Sequence, residues 1–399
     1  MASRGIRDKV AIVGMGCTPF GEHWDRSTED LLVDATAETL ASARLSIDEI
    51  DAFWLGTAGS GTSGLTLSRA LRSRKPVTRL ENMCATGSEA LRNACYAVAS
   101  GAYDTAMAIG VEKLKDSGFS GLVGYPPPSD GTLPETTAPA NFSLLAPAYA
   151  RKYGIDADEL GEVLARIAVK NHYNGARNPR AQFRKEVSVE TVRAAPRVAG
   201  SLGVFDCSGV ADGAAAAIVV PAEHAHRYTD SPLYVKALSL VAGPATGYLD
   251  SGYDFTWFPE AAQSARDAYT QAGISDPLAE LALAEVHDCF TPTELILMED
   301  FGFSERGQAW KDVLAGTFDL DGDLPVNPDG GLKAFGHPIG ASGLRMMFEC
   351  WLQLRGAAPA DRTIRTVAQG RTLAMTHNLG GGPGEAVSFV GIVGTELSG

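Results

Sequence analysis

A succession of strands and helices that occurs twice constrains the fold of this chain more than any single motif. In the first copy, an apolar segment at residues 10–13 precedes an alanine-rich helical pattern at 28–43, and another apolar segment follows at 50–55. Late in the chain, an alanine-rich helical pattern at 261–272 precedes an apolar segment at 281–286. Short apolar runs are typical of buried strands, and the alanine-rich patterns are typical of helices. The chain is therefore predicted to contain two related halves.

A second pair of segments supports the duplication. A helix of small residues that starts near Cys84 precedes an apolar segment at 105–110, and a helix that starts near Gly340 precedes one at 372–376. Each half then has the order strand, helix, strand, helix, strand. Alternating apolar strands and helices form parallel or mixed sheets covered by helices. We therefore predict an α/β fold of two packed halves, with mixed sheets and five layers in the order α/β/α/β/α.

The sequence between the two copies differs from both. Residues 117–198 are rich in proline and in mixed charge, and they include the run YPPP at 125–128. We predict that 117–198 is an inserted loop or lid region. The first half would then comprise residues 1–116 and 199–230, and the second half residues 231–399.

The composition excludes several classes of function. The formal net charge is −14, whereas nucleic-acid binding requires clustered Lys and Arg. No apolar run reaches the roughly 18 residues that a membrane span needs, and the opening segment lacks the apolar core of a signal peptide. The six cysteines are scattered and show no metal-ligand spacing, so we expect reduced thiols and no metal site. We expect a cytoplasmic protein without a nucleic-acid partner.

The segment ENMCATGSEA places Cys84 at the start of a helix of small residues. Unpaired N–H groups and the helix dipole at such a position favour the thiolate over the thiol, and small neighbours leave room for a substrate. The alternative is a buried structural cysteine, which is the better interpretation for Cys95. Cys84 is therefore a candidate nucleophile.

An activated cysteine needs a base, and His337 is the candidate. It lies in the segment GHPIG at 336–340, a rigid turn before the second-half helix that corresponds to the helix at Cys84. If a pseudo-twofold axis relates the halves, the N-termini of these two helices face each other and the two side chains converge. The alternative is a structural histidine flanked by glycine.

Two further segments follow apolar strands, where α/β folds place ligand-binding residues. The segment EVHDCFT at 285–291 contributes His287 and Cys289. The segment HNLGGG at 377–382 presents backbone N–H groups that suit a developing oxyanion. Both segments are candidate parts of one site.

Four segments in order resemble the motif set of thiolases: Cys84 in its small-residue helix, HDCF at 287–290, NPDGGLKAFGHPIG at 327–340, and the terminal HNLGGG. Within that superfamily the chain is most similar to the sterol-carrier-protein type and its bacterial and archaeal acetyl-CoA acetyltransferase relatives. The resemblance covers essentially the whole chain and implies the duplicated thiolase fold.

The resemblance implies a role for each matching residue. Cys84 would carry the acyl group as a thioester, and His337 would activate its thiol. Other thiolases have a second cysteine near the C-terminus, where this chain has Asn378. In the sterol-carrier-protein type, the second cysteine comes from the HDCF segment. Cys289 would therefore be the acid/base that exchanges a proton with the substrate.

Oxyanion stabilisation would come from two groups of donors by the same resemblance. His287 would donate to one oxyanion, directly or through water, and the backbone N–H groups of Cys84 and Gly380 would bind the other. Ser208, in the segment DCSGVADGA, would border the coenzyme channel and contact the pantetheine arm of the substrate. A turn-forming role for Ser208 is equally consistent with the sequence.

The implied activity is that of an acyl-CoA acyltransferase, which cleaves 3-oxoacyl-CoA with CoA or condenses two acyl-CoA molecules. Coenzyme A would be a substrate or product, with no tightly bound cofactor. One alternative is a retro-aldolase that acts on branched 3-hydroxyacyl-CoA, for example a steroid side chain, with a small OB-fold-type partner protein. Another is a noncatalytic acyl-CoA or lipid carrier subunit, which would not need both Cys84 and Cys289. The resemblance also implies a homodimer or a dimer of dimers.

The segment GSGTSG at 59–64 satisfies a GxGxxG pattern after a strand, so a dinucleotide site has to be considered. The acidic residue that should follow some twenty positions later is not convincingly placed. A flexible loop between a strand and a helix explains the glycines, and we favour that interpretation.

Overall fold

The computed structural model describes residues 5–117 and 137–398, and it confirms the α/β class. The run YPPP at 125–128 lies outside the described residues. In chain order the strands are β1 (Val10–Cys17), β2 (Ala52–Gly56), β3 (Val77–Leu80), β4 (Ala106–Glu112), β5 (Arg197–Ala199), β6 (Leu202–Gly203), β7 (Gly213–Pro221), β8 (Leu233–Ala242), β9 (Leu281–Glu285), β10 (Leu373–Gly382) and β11 (Glu385–Gly394).

The helices are α1 (Thr28–Ala43), α2 (Gly64–Leu71), α3 (Thr86–Ala99), α4 (Ala138–Phe142), α5 (Leu145–Tyr153), α6 (Ala157–Ala176), α7 (Val189–Ala194), α8 (Thr246–Leu249), α9 (Pro259–Ala272), α10 (Pro277–Glu280), α11 (Thr291–Asp300), α12 (Ala309–Leu314), α13 (Gly331–Phe335), α14 (Ile339–Leu354) and α15 (Arg365–Ala368). Within the ranges that the structure describes, none of them is both long and apolar enough to cross a bilayer.

Local sequence signals explain where the outer helices begin and end. The side chain of Ser27 accepts a hydrogen bond from the Asp30 N–H, and the Asp30 carboxylate accepts one from the Ser27 N–H, which forms a capping box before α1. Pro259 occupies the first turn of α9, and Gly273 ends that helix with a φ of +78°. The starts and stops of these helices are therefore fixed by local chemistry.

Nine strands pair edge to edge in the order β3-β2-β4-β7-β1-β8-β11-β10-β9. The second half repeats the pairing of the first, because β8, β11, β10 and β9 have the same parallel and antiparallel neighbours as β1, β7, β4 and β2. In the second half, a parallel bridge from Ala284 to Val326 takes the place that the parallel pairing of β3 with β2 has in the first half. A two-residue pairing of β1 with β8 joins the halves. The predicted duplication is confirmed.

Helices α3 and α14 pack against each other between the two halves. Helix α14 contacts β4 and β7 of the first half and also β9 and β10 of the second. Helix α1 covers the outer face of the first half, and α9 covers the outer face of the second. The five-layer order α/β/α/β/α is therefore confirmed.

Glycines allow α14 to begin very close to the first half. A Cβ atom added at Gly340 would lie 2.7 Å from the carbonyl oxygen of Gly56, and one added at Gly87 would lie 2.7 Å from the carbonyl oxygen of Gly340. Both distances are shorter than folded proteins tolerate, so larger side chains would push the two helices apart. At these positions the small residues bring the helix starts together, whereas the sequence suggested that they leave room for a substrate.

Helices α4 to α7 fall within residues 117–198, the range that was predicted to be an insertion, whereas β5 crosses the end of that range and β6 lies beyond it. Helix α6 packs against α11, α12 and α13 of the second half. The boundaries proposed for the inserted region and for the two halves stay predictions.

Candidate active site

Cys84 lies in the tight turn between β3 and α3. Met83 has a φ of +50°, a conformation that a side chain rarely adopts, and the Thr86 hydroxyl holds the turn by donating to the Met83 carbonyl at 2.6 Å. The Cys84 side chain is half-buried against Ala58, Leu114, Val210 and Ile339. The turn therefore places the Cys84 side chain against an apolar cluster.

Burial, together with the acidic groups Glu81 and Glu112, raises the pKa of the Cys84 thiol to about 12. This is the opposite of the lowering that the helix N-terminus predicts. Desolvation of a thiolate outweighs the partial charge of a helix end when the site is enclosed. Cys84 therefore rests as a thiol and needs a base.

His337, at the turn between α13 and α14, is the candidate for that base. Its Nε2 atom lies 3.4 Å from the Cys84 Sγ atom, and its Nδ1 atom lies 2.7 Å from the Ser342 hydroxyl oxygen. The Ser342 hydroxyl donates to the Pro338 carbonyl at 3.0 Å, so its oxygen accepts from Nδ1–H. This arrangement leaves Nε2 unprotonated and facing the thiol. Burial, with the nearby Arg345, lowers the pKa of His337 to about 3, so the ring is neutral.

His287 is the third member of the cluster. The potential ligand atoms of Cys84, His287 and His337 all lie within 4.8 Å of one another, and the two imidazole rings are 5.3 Å apart between centroids. Burial lowers the pKa of His287 well below its usual value, and His337 and His377 contribute to the same direction. A neutral imidazole in this position is suited to donate a hydrogen bond to an oxyanion.

Cys289 is buried at the turn before α11, with its Sγ atom 3.9 Å from the Thr293 hydroxyl. Burial raises the pKa of the Cys289 thiol well above its usual value, and the Cys84 sulfur is the next largest cause. The two thiols, which come from opposite halves of the chain, therefore influence each other electrostatically. Their roles as nucleophile and as acid/base stay predictions.

The same cluster contains the donor types that a thiophilic metal ion prefers. A metal bound to Cys84 would occupy the sulfur atom and the unprotonated Nε2 atom of His337. A resident metal ion and acylation of Cys84 would therefore exclude each other.

Asp288 fixes the loop that carries His287 and Cys289. Its carboxylate accepts hydrogen bonds from the Leu332 N–H at 2.6 Å and from the Lys333 N–H at 3.2 Å, at the start of α13. Burial and the neighbouring Glu294 raise the pKa of Asp288 to about 6. The loop with the second thiol is thereby attached to the segment that ends at His337.

A layer of buried polar side chains supports this attachment, and sequence reasoning missed it. Asn171 of α6 donates to Asp288 at 2.8 Å, and Lys170 pairs with Glu294 at 2.8 Å. Arg345, on α14, is fully enclosed and pairs with Glu285 at 2.6 Å. A charged residue within an apolar helical pattern is a signal that could have indicated this layer. Such a residue is rarely buried without a partner, so its presence predicts an opposite charge nearby.

The glycine segment at the end of β10 reaches the Cys84 turn. A Cβ atom added at Gly380 would lie 2.7 Å from the Met83 Cβ atom, so this strand end packs directly beside the nucleophile turn. Asn378 accepts a hydrogen bond from the Ser88 hydroxyl at 2.6 Å and donates to the Met346 sulfur at 3.3 Å. Asn378 is thus engaged with α3 and α14, while Gly380 borders the site. The roles of the Cys84 and Gly380 N–H groups as oxyanion donors stay predictions.

Ser208 lies next to the site through its backbone. Its N–H donates to the Cys289 carbonyl at 2.8 Å. This contact supports a role in holding the second thiol, and contact with the pantetheine arm stays a prediction.

The loop at 59–64 is organised around a carboxylate. The buried Glu112 accepts hydrogen bonds from the Ser60 N–H and hydroxyl, both at 2.7 Å, and from the Ala58 N–H. Binding of a pyrophosphate would need free N–H groups in this loop, and the Glu112 carboxylate already accepts hydrogen bonds from two of its N–H groups. This geometry favours the loop interpretation over a dinucleotide site.

Two family models match the chain. The model described as "Thiolase, N-terminal domain" matches residues 10–223, and the model described as "Thiolase C-terminal domain-like" matches residues 245–391. An acetyl-CoA acetyltransferase from Methanothermobacter thermautotrophicus is 37% identical over 96% of this chain and 99% of its own length. Sterol carrier protein 2 from Bos taurus is 30% identical over 96% of this chain and 72% of its own length.

Solved structures resemble the fold over nearly the whole chain. The Ltp2-ChsH2(DUF35) aldolase gives a TM-score of 0.81 at 22% identity and covers 98% of this chain and 99% of that chain. Human mitochondrial 3-ketoacyl-CoA thiolase in complex with CoA gives 0.68 at 19% identity, with 98% of both chains covered. At these identities the likeness concerns the fold alone.

Proposed function

Since this chain belongs to the thiolase family and is an acyltransferase, we propose that it cleaves 3-oxoacyl-CoA with CoA, or condenses two acyl-CoA molecules, through an acyl-Cys84 intermediate. The observation that carries the proposal is the 3.4 Å approach of the His337 Nε2 atom to the Cys84 sulfur, beside a second buried thiol. An acyl carrier would need neither the base nor the second thiol.

In the cleavage direction, His337 takes the Cys84 proton as the sulfur attacks the 3-oxo carbon. Proton transfer and attack are coupled, because the thiol has a pKa of about 12 and the imidazole one of about 3, which disfavours a stable ion pair. The backbone N–H groups of Cys84 and Gly380 would stabilise the resulting oxyanion. Collapse of this adduct breaks the bond between the α and β carbons.

The second thiol completes the cycle. Cys289 gives its proton to the enolate of the departing acyl-CoA, while neutral His287 donates to the enolate oxygen. The Cys289 thiolate then takes the proton of the incoming CoA thiol, and the CoA sulfur attacks acyl-Cys84. Cys84 leaves as a thiolate and recovers its proton from His337. The same steps in reverse describe condensation.

A retro-aldolase is the second candidate, because the aldolase named above shares the fold with a TM-score of 0.81. Retro-aldol cleavage of a 3-hydroxyacyl-CoA needs a base but forms no acyl-cysteine. The paired thiols favour acyl transfer over this alternative.

The same proposal includes coenzyme A as a substrate or product and no tightly bound cofactor. It also includes a homodimer or dimer of dimers, a small accessory protein and a cytoplasmic location. These rest on the family resemblance.

The proposal is tested by incubating the protein with acetyl-CoA labelled in the acetyl group and locating the label by peptide mass spectrometry. We expect the label on Cys84, its loss in Cys84→Ala, and its retention in Cys95→Ala, a matched control on α3. Cleavage of a 3-hydroxyacyl-CoA without added CoA, together with no label on Cys84, would instead establish the aldolase.

A further inference from the structure

Lys333 differs from the other buried lysines in its lack of a carboxylate partner. Lys113, Lys170 and Lys236 each form an ion pair, with N–O distances of 2.9, 2.8 and 2.5 Å. Lys333 is 1% exposed, and its ammonium donates to the Asp206 carbonyl at 2.7 Å. Among the described residues, no carboxylate oxygen lies within 4.0 Å of that ammonium group. A buried charge with so little compensation is costly and calls for a functional explanation.

Lys333 makes two hydrogen bonds next to the turn that carries Cys289, one through its backbone N–H and one through its side chain. At one end, the Lys333 N–H donates to Asp288, the residue before Cys289. At the other end, the ammonium group binds Asp206, whose side chain accepts from the Thr291 hydroxyl at 2.6 Å. Lys333 therefore contacts the turn at residues 288–291 directly through its backbone N–H and indirectly, through Asp206, by its ammonium group.

The segment that carries Asp206 runs alongside this turn. Cys207 forms an antiparallel bridge with Phe290, and the Ser208 N–H donates to the Cys289 carbonyl at 2.8 Å. The ammonium group therefore reaches a carbonyl on a segment in direct backbone contact with Cys289.

We propose that Lys333 is a positioning residue whose ammonium group stabilises the thiolate form of Cys289 between the two proton transfers of the catalytic cycle. This inference rests on the proposed function, in which the enolate takes the Cys289 proton and the incoming CoA thiol replaces it. No other reactant is needed. Between these steps Cys289 carries a negative charge in an enclosed site, and Lys333 provides the opposite charge.

The charged groups around Cys289 support this assignment. Burial, the Cys84 sulfur and the adjacent Asp288 raise the pKa of Cys289, whereas the Thr293 hydroxyl and the Lys333 ammonium lower it. The same positive charge opposes the rise that burial causes in the pKa values of Asp288 and Cys207, and it adds to the lowering that burial causes in the pKa of His172.

The test measures the proton affinity of Cys289 without turnover. In a Cys84→Ala background, the rate of Cys289 alkylation by iodoacetamide is followed across pH by peptide mass spectrometry. Lys333→Gln keeps a donor for the Asp206 carbonyl but removes the charge. We expect its alkylation midpoint to rise by about one pH unit or more, the shift typical of losing a nearby opposite charge.

Two further variants separate charge from structure. Lys333→Arg retains a cation and should keep the midpoint near that of the parent, whereas Lys333→Met should raise it as Lys333→Gln does. Lys236→Met, which removes a buried lysine near the chain ends, is the matched control and should leave the midpoint unchanged. If one neutral variant does not fold, the other carries the test.

An unchanged pH midpoint of Cys289 alkylation in a folded neutral variant would overturn the proposal. Lys333 would then serve only to hold the Asp206 segment in place. The readout does not depend on acyl transfer, so it stands apart from the label on Cys84 that tests the proposed function.

Discussion

The Nε2 atom of His337 lies 3.4 Å from the Sγ atom of Cys84, although 253 positions separate the two residues. Duplication explains the approach, because each residue lies at the start of one of the two equivalent helices α3 and α14. Glycines at 87 and 340 let these helix starts meet. Two copies of one supersecondary unit thus build a dyad that neither half contains alone.

Replacement of His337 by Gln should slow acylation of Cys84 by about 10² to 10⁴-fold, because the thiol loses its base. Stopped-flow acetylation with acetyl-CoA measures this rate. Ser342→Ala should give a smaller loss, since it removes only the group that fixes the imidazole tautomer. Equal losses in the two variants would contradict a role for His337 as the base.

Acylation of Cys84 should depend little on pH between about 5 and 9. His337 has a pKa lowered to about 3 and Cys84 a pKa raised to about 12, so neither changes its protonation state in this range. The measurement is the single-turnover acetylation rate against pH, with alkylation of free cysteine as the control. A rate that follows a titration near pH 6.5 would show that the imidazole is not desolvated.

Asn378 should be unable to act as the second acid/base even when it is changed to cysteine. Its side chain is hydrogen-bonded to Ser88 and Met346 in the helix layer. We expect Cys289→Ala to lower thiolysis by about 10² to 10⁴-fold, and Asn378→Cys in that background to restore none of it. Thiolysis of acetoacetyl-CoA measures both, and recovery in the double variant would show that position 378 reaches the substrate.

The sequence was sufficient to predict the fold, and it predicted four candidate catalytic residues because each of them lies at the end of a strand or the start of a helix within a motif. It was not sufficient for the electrostatics. The expected lowering of the Cys84 pKa followed from the helix end, which is local, whereas burial raises that pKa, together with Glu81 and with Glu112 of β4. The partners of Arg345 and Lys333 likewise depend on long-range packing, which no local pattern encodes.

The buried histidines should make the protein sensitive to mild acid. The pKa of His377 is lowered from 6.5 to about 3 by burial, so its stabilising contribution is complete above pH 6.5 and is lost as the pH falls toward 3. Between about pH 4 and 6, His377→Gln should reduce the slope of unfolding free energy against pH by about 1.4 kcal/mol per unit. Urea unfolding at several pH values measures this slope. A slope that stays unchanged in His377→Gln would contradict the prediction.

The contact between Gly331 and Asp288 should tolerate no side chain. Gly331 has a φ of +63°, and an added Cβ atom would lie 2.4 Å from an Asp288 carboxylate oxygen. Gly302 is a matched control, because its φ is +70° but nothing lies within 4 Å of an added Cβ atom. Gly302→Ala should therefore cost about 1 kcal/mol of unfolding free energy from backbone strain alone. Gly331→Ala should cost about 2 kcal/mol more, since it displaces a buried carboxylate from its N–H donors.

Urea unfolding measures both costs, and thiolysis should fall only in Gly331→Ala, because Asp288 holds the loop that carries His287 and Cys289. Equal costs in the two variants would mean that the carboxylate moves aside freely and that Asp288 does not fix this loop.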